Sequence, residues 1–238
     1  MKLTILGMNG PFPAALGATS GYLLEAEDVR LALDLGSGTL GRLTAQMAPE
    51  QLDALLLSHW HFDHCSDLLP LIFRLEATNR VLPLYAPEDI ASAVRALAEK
   101  AACLSLHTVR PGDRFVVGSL AVQVYAAKHP VPAVMYRLEG TEKILSYTGD
   151  TNWTDDLPAL AEGADLLLAD GLFPTAQWME QKPHLSAALA ARLAADAQVK
   201  QLVITHLNPM LDPSVLLQEA RAAYPRVQLA RPGAQYLL

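Results

Sequence analysis

The apolar positions of this chain change period along its length, and the changes outline its elements. Leu3 to Leu6 is a continuous apolar run, and Gly21 to Leu24 and Arg30 to Leu35 alternate loosely about a turn at Glu27-Asp28, which predicts three strands. Gly36 and Gly38 lead into a short helix around Leu40 to Met47. Asp53 to Leu57 has the pattern of a short buried strand that stops at Ser58. Asp67 to Leu75 and Pro87 to Lys100 return to helical spacing.

The middle of the chain reads as hairpins. Phe115 to Val117 and Leu120 to Ala127 flank Gly118-Ser119, and Ala133 to Glu139 and Lys143 to Thr148 flank Gly140-Thr141. Strands at Asp165 to Ala169 and Gln201 to Thr205 then alternate with helices at Ser186 to Ala195 and Pro213 to Ala223, and Val227 to Ala230 closes the chain. Strands and helices thus come in two similar halves. That order suits two sheets packed face to face with helices outside, an αββα sandwich, read here as one domain over residues 1–238. Leu172 to Pro183 is the longest stretch without an element signal and is a candidate functional loop.

Composition narrows the classes. With 51% hydrophobic and 18% charged residues, a chain of 238 residues buries a full core and is not a disordered one. A formal net charge of −7 counts against broad binding to long nucleic acid or a membrane surface. It leaves room for a small anionic substrate, because bound cations can supply local positive charge. Two cysteines, Cys65 and Cys103, make no disulfide framework and are read as reduced thiols. The first residues read as a strand without a secretory signal, and no apolar run approaches the roughly 18 residues that span a bilayer, so a cytoplasmic protein is expected.

The chemistry concentrates in Ser58-His59-Trp60-His61-Phe62-Asp63-His64, between a buried strand and a helix. Imidazole and carboxylate are ligands for zinc and similar ions. In an extended segment residues two apart point the same way, so His59 and His61 can grip one ion. The following turn can swing Asp63 and His64 toward a second. Three further candidates, His129, Asp150 and His206, also lie just past the C-terminal ends of apolar strands.

With these residues in place, the chain resembles the metallo-β-lactamase superfamily, and within it the phosphodiesterase branch that includes ribonuclease Z. The resemblance runs essentially end to end. Leu31-Ala32-Leu33-Asp34-Leu35-Gly36 is similar to the family's first motif, the HxHxDH string is the second, and His129, Asp150 and His206 fall in the order of the rest. The resemblance implies a first ion on His59, His61 and His129, a second on Asp63, His64 and His206, and Asp150 bridging both. Zinc is the expected metal, and manganese or iron fits the same ligand set. It implies that Asp34 orients a ligand from behind.

The departures from sister branches also carry information. His61 stands where flavodiiron oxidoreductases place Glu, and Asp150 where the commonest zinc β-lactamases place Cys. Ala127-Lys128-His129-Pro130-Val131-Pro132 replaces the Thr-Pro-Gly-His-Thr run of glyoxalase II-like thioesterases. A phosphodiesterase is therefore expected, with hydroxide held by the two ions attacking a small phosphodiester and Asp63 orienting the water. His184, in Pro183-His184-Leu185-Ser186, occupies the place of a ribonuclease Z histidine that assists at the scissile phosphate, and is expected to act as general acid or oxyanion stabiliser. Leu185 interrupts the hydroxyl pair found there in that branch.

The segment between His129 and Asp150 is too short for the basic arm with which ribonuclease Z holds transfer RNA. Lys128, Arg137 and Lys182 are candidate phosphate contacts. Phe173, Trp178 and Met179 form a loop that would cover the substrate or meet a second subunit in a homodimer. His107 and Cys65 are read as structural. Two rival readings remain: a lactonase or thioesterase on the same two ions, and a non-catalytic metal-binding protein.

Overall fold

The computed structural model describes residues 1–238. The first half runs β1 (Lys2–Gly7), β2 (Gly21–Ala26), β3 (Val29–Leu35), α1 (Thr39–Gln46), β4 (Ala54–Leu56), α2 (Phe62–Cys65), α3 (Leu68–Glu76), β5 (Leu82–Pro87), α4 (Ala93–Ala98) and β6 (Leu104–Val109). The second runs β7 (Arg114–Val117), β8 (Leu120–Ala126), β9 (Val134–Glu139), β10 (Ile144–Tyr147), α5 (Leu157–Ala161), β11 (Leu166–Asp170), α6 (Ala187–Asp196), β12 (Gln201–Thr205), α7 (Pro213–Ala223), β13 (Gln228–Leu229) and β14 (Gln235–Leu237).

Two seven-stranded sheets result, ordered β14-β1-β2-β3-β4-β5-β6 and β13-β12-β11-β10-β9-β8-β7. Each is antiparallel on one side and parallel on the other, the change falling at β3 in the first sheet and at β10 in the second. Parallel strands need crossovers, which place helices on the outer face of each sheet.

Side-chain alternation makes the four layers. Leu31, Leu33, Ala54 and Leu56 meet Leu166 and Leu168 between the sheets. The intervening Ala32, Leu55 and Leu57 face the α1 and α3 side with Leu43 and Leu71, while Leu167 and Ala169 face α6 and α7 with Ala190 and Leu216. Each leucine so enclosed contributes about 1.5–3 kcal/mol of apolar burial. The αββα architecture expected from the two similar halves is the one observed.

Local differences have local causes. The helix expected from Pro87 to Lys100 is confined to Ala93–Ala98, capped by Ser92, whose hydroxyl accepts from Arg95 N. Pro87 instead ends β5, a strand absent from the sequence reading, as were β6, α5 and β14. No helix is long and apolar enough to cross a membrane.

At the end of the second sheet away from the strand-end loops, buried Asp165 ties β10 to β11. Its carboxylate accepts from Ile144 N at 2.9 Å and from Lys200 and Lys143 at 2.9 and 3.3 Å. Burial opposes ionisation, but Lys200, the Ile144 amide and Lys143 together hold the carboxyl below its usual 3.8. Asp165→Ala is expected to cost about 1–3 kcal/mol by leaving the amide unpaired. A depressed folded pKa stabilises above the unfolded value and is lost as pH falls through the folded one. The gap between wild type and variant in thermal unfolding is therefore full at neutral pH and narrows below about pH 4.

Candidate metal centre

The loops that follow the C-terminal strand ends of both sheets meet in one place. Open α/β sheets bind ligands there, because loops on either side of a change in strand direction diverge and leave a crevice. His59 and His61 come from the loop after β4, and Asp63 and His64 from the first turn of α2, for which His61 is the extended N-cap residue. Alternation holds locally: the His59 and His61 rings lie 4.7 Å apart, while Trp60 between them turns into the outer core and donates to Pro87 O. Gly36 permits this turn to approach the first sheet, since a Cβ there would sit 1.9 Å from Asp63 O.

The donor atoms converge in three overlapping groups, one of which joins Asp150 and His206 to Asp170 and His184, while the other two hold the expected ligands. His59, His61, His129 and Asp150 offer atoms all within 4.8 Å of one another, and so do Asp63, His64, Asp150 and His206. His61 Nδ1 stands 3.0 Å from His59 Nε2 and 3.1 Å from His129 Nε2. His206 Nε2 lies 3.1 Å from Asp63 Oδ2 and 3.3 Å from Asp150 Oδ2, and His64 Nε2 lies 3.2 Å from Asp150 Oδ1. Tetrahedral ligands at about 2.1 Å from one ion are about 3.4 Å apart, which matches these separations. Every predicted ligand position, residue by residue, is therefore in this cluster.

The polar accounting fits a cation. His64 Nε2 and Asp150 Oδ1 are buried and make no hydrogen bond. The buried carboxylates Asp34, Asp150 and Asp170 and the half-buried Asp63 are paired with no Lys or Arg, only with histidines. Burial presses the His59, His61 and His129 rings toward the neutral form, His129 to about 4, so their lone pairs are free to ligate at neutral pH. Burial also opposes ionisation of Asp150, but His206 and His64 beside it hold it well below its usual 3.8.

Outer contacts fix the rings. Asp34 ends the inner stretch of β3 in the left-handed region, φ 55°, strained for a side chain other than glycine. It is held there by Ser58 N at 2.6 Å, Ser58 Oγ at 2.8 Å, Tyr147 Oη at 2.5 Å and His64 Nδ1 at 2.7 Å. The last contact leaves His64 Nε2 to face inward, the usual arrangement of a carboxylate behind a ligating histidine. His129 Nδ1 donates to Pro183 O at 3.2 Å, which turns its Nε2 toward His61.

His184 lies at the edge of the same cluster, and the residue that holds it was missed from sequence. Asp170 accepts from His184 Nδ1 at 2.8 Å and from Thr151 N and Leu172 N at 3.2 and 3.1 Å. Burial disfavours the imidazolium, but Asp170 outweighs it and raises the pKa to about 9. The signal was present: a lone aspartate closing the all-apolar run Leu166-Leu167-Leu168-Ala169 and followed by glycine, much as Asp34 interrupts the apolar end of β3 one residue before Leu35-Gly36.

Other candidates lie elsewhere. Arg137 is no phosphate contact: its guanidinium is committed to Glu139 and to the carbonyls of Leu160 and Glu162. Lys182 bonds to Gln177 O and rests 4.3 Å over Phe173, on the loop before His184, while Lys128 is exposed beside His129. His107 stacks on Tyr85 at 4.8 Å, and Cys65 and Cys103 are buried free thiols.

The loop from Leu172 to Pro183 is pinned by one buried side chain. Asn152 Nδ2 donates to Met179 O, Glu180 O and Lys182 O, and its Oδ1 accepts from Trp178 Nε1 at 3.0 Å. Trp178 is thereby held, while Met179 is 54% exposed. Because this loop carries Pro183 O to His129, Asn152→Ala is expected to lower kcat about 10–100-fold with metal content retained. Proteolysis of the loop accelerates in the same variant, read by mass spectrometry of the fragments.

Comparison with known proteins gives the family. Residues 33–207 match the model of the beta-lactamase superfamily domain. The probable metallo-hydrolase YhfI of Bacillus subtilis is 30% identical over 240 residues, covering 98% of each chain. Its crystal structure superposes with a TM-score of 0.92 over 99% of this chain and 98% of that one, at 29% identity. Ribonuclease Z of Methanopyrus kandleri is 29% identical over 98% of this chain and 96% of its own. Human tRNase Z, short form, shares the fold at a TM-score of 0.83 and 20% identity, over 100% and 99% of the two chains. The chain belongs to the beta-lactamase superfamily and is a metal-dependent hydrolase on the metallo-β-lactamase fold.

Proposed function

We propose that the chain is a dinuclear-metal phosphodiesterase for small phosphodiesters, with zinc the expected metal. His59, His61 and His129 would hold one ion, Asp63, His64 and His206 the other, and Asp150 both. The observation that carries this reading is the placement of Asp150, whose Oδ2 lies 3.7 Å from His59 Nε2 while its Oδ1 lies 3.2 Å from His64 Nε2. One carboxylate thus reaches into both groups.

Two bound divalent ions supply Lewis acidity and a nucleophile at neutral pH. The remaining work falls to side chains. Asp63 contacts His206 through Oδ2, which leaves its other oxygen to orient the attacking water. His184, held by Asp170 through Nδ1, presents Nε2 as proton donor to the departing oxygen. The phosphodiester class is supported by the relatives named ribonuclease Z and by this histidine. The net charge of −7 favours a small substrate over a long polyanion.

The test is a turnover screen of metal-loaded protein, with metal content read by elemental analysis. Bis(p-nitrophenyl) phosphate is expected to turn over, with two ions per chain. Hydrolysis of only a lactone or a thioester would replace the phosphodiester reading. No turnover on any of the three with both ions present would favour a binding protein.

A further inference from the structure

A hollow adjoins the donor cluster at His129 alone among the expected ligands. It measures about 420 Å³, and His129 forms part of its wall. A larger hollow, about 870 Å³, runs beside Arg221 and Arg231 and includes none of the metal-site residues. The hollow beside His129 lies between the loops that leave β5 and β6 and the loop that follows β8.

Its lining has two parts. Pro87, Pro111, Pro130 and Pro132 stand along the wall, with Ala and Val between them. Proline fixes its own φ, so this wall has little freedom to lose when a ligand enters. The turn that carries His59 and His61 is tied to it, because Trp60 Nε1 donates to Pro87 O at 2.8 Å. The other part is a single pair of charges, Arg110 and Glu88, 3.4 Å apart. Their side chains are 73% and 51% exposed. An exposed pair of this kind is worth little by itself, so a ligand can exchange it at small cost. Side by side, the two offer a hydrogen-bond donor and an acceptor next to apolar faces.

We propose that this cleft is the subsite for the organic arm of the substrate, and that it takes a planar ring whose edge carries adjacent carbonyl and N–H groups. The proline faces cover the ring, Arg110 donates to its carbonyl, and Glu88 accepts from its N–H. Mostly apolar walls with a few polar groups to fix orientation are the ordinary build of a small-molecule subsite. The proposal rests on the phosphodiesterase reading only for the identity of the reacting group, which would sit at the metal centre beside His129. It assigns Arg110 and Glu88 to specificity rather than to chemistry.

The experiment compares two substrates on the metal-loaded enzyme: thymidine 5′-(p-nitrophenyl phosphate), whose ring has the required edge, and methyl p-nitrophenyl phosphate, which has no ring. Wild type is expected to favour the thymidine ester by about tenfold or more in kcat/KM. Arg110→Ala and Ala133→Trp, the second of which fills the cleft, should each bring that ratio toward one. A wild-type ratio near one, or a ratio that survives both substitutions, overturns the subsite while the phosphodiesterase reading stands. If neither ester turns over, the phosphodiester reading has failed. The cleft is then decided by calorimetry with thymidine 5′-monophosphate and thymidine 3′-monophosphate: binding weakened by both substitutions supports it, and unchanged or absent binding overturns it.

Discussion

Replacing Asp150 by alanine is expected to lower kcat/KM on the order of 10³-fold or more, because the change removes an oxygen from both metal groups at once. Metal content should fall with it, since His59, His61 and His129 on one side and Asp63, His64 and His206 on the other each lose the carboxylate they share. Stopped assays and elemental analysis on the same preparation read both quantities, and circular dichroism checks the fold. Asp34→Asn is the informative companion. It leaves every inward-facing atom in place and weakens the contacts behind these atoms, the one to His64 at 2.7 Å together with those to Ser58 and Tyr147. A loss of about 10–100-fold in activity or metal affinity is the range for such a partner. An Asp150→Ala protein that keeps two ions and its activity would remove the bridging role, and with it the dinuclear reading.

These two aspartates also mark what the sequence made legible. The HxHxDH string is local, and its geometry follows from an extended segment entering a helix, so His59, His61, Asp63 and His64 could be placed from their spacing alone. His129, Asp150 and His206 could be placed because each follows an apolar strand that ends in the same crevice. Asp170 obeys the same rule, yet it was passed over because the strand was read as stopping at Ala169 and no motif drew attention to the next residue. His184 was found by resemblance, whereas the contact that gives it a protonated form is tertiary.

The missed elements have similar explanations. β5, Leu82–Pro87, alternates buried Leu82, Leu84 and Ala86 with half-buried Pro83 and Tyr85, but it carries two prolines in six residues, and Pro87 reads as the start of a helix. It is nonetheless an inner parallel strand, between β4 and β6. β14 has three residues and exists because it pairs with β1, the opposite end of the chain. Such pairing leaves no periodic trace. Arg137 shows the converse limit: residue type makes a cation a candidate phosphate contact, while the fold commits it to carbonyls at the end of α5.

The second large effect concerns His184. His184→Ala is expected to lower kcat about 10²–10⁴-fold on a phosphodiester whose leaving group is an alkoxide, the range for loss of a general acid. On bis(p-nitrophenyl) phosphate the same variant should lose far less, because p-nitrophenolate departs without a proton. That contrast distinguishes proton donation from a structural contribution, which would depress both substrates alike. Metal content should be unchanged, since the groups around His59 and around Asp63 each have four donors without His184, which belongs only to the third, with Asp150, Asp170 and His206. Asp170→Asn is expected to follow the same pattern more weakly. An amide oxygen still accepts from His184 Nδ1, but it no longer supplies the charge that holds the ring protonated. Equal losses on the two leaving groups in both variants would assign His184 and Asp170 to holding the loop at Leu172, and the proton would have to come from solvent.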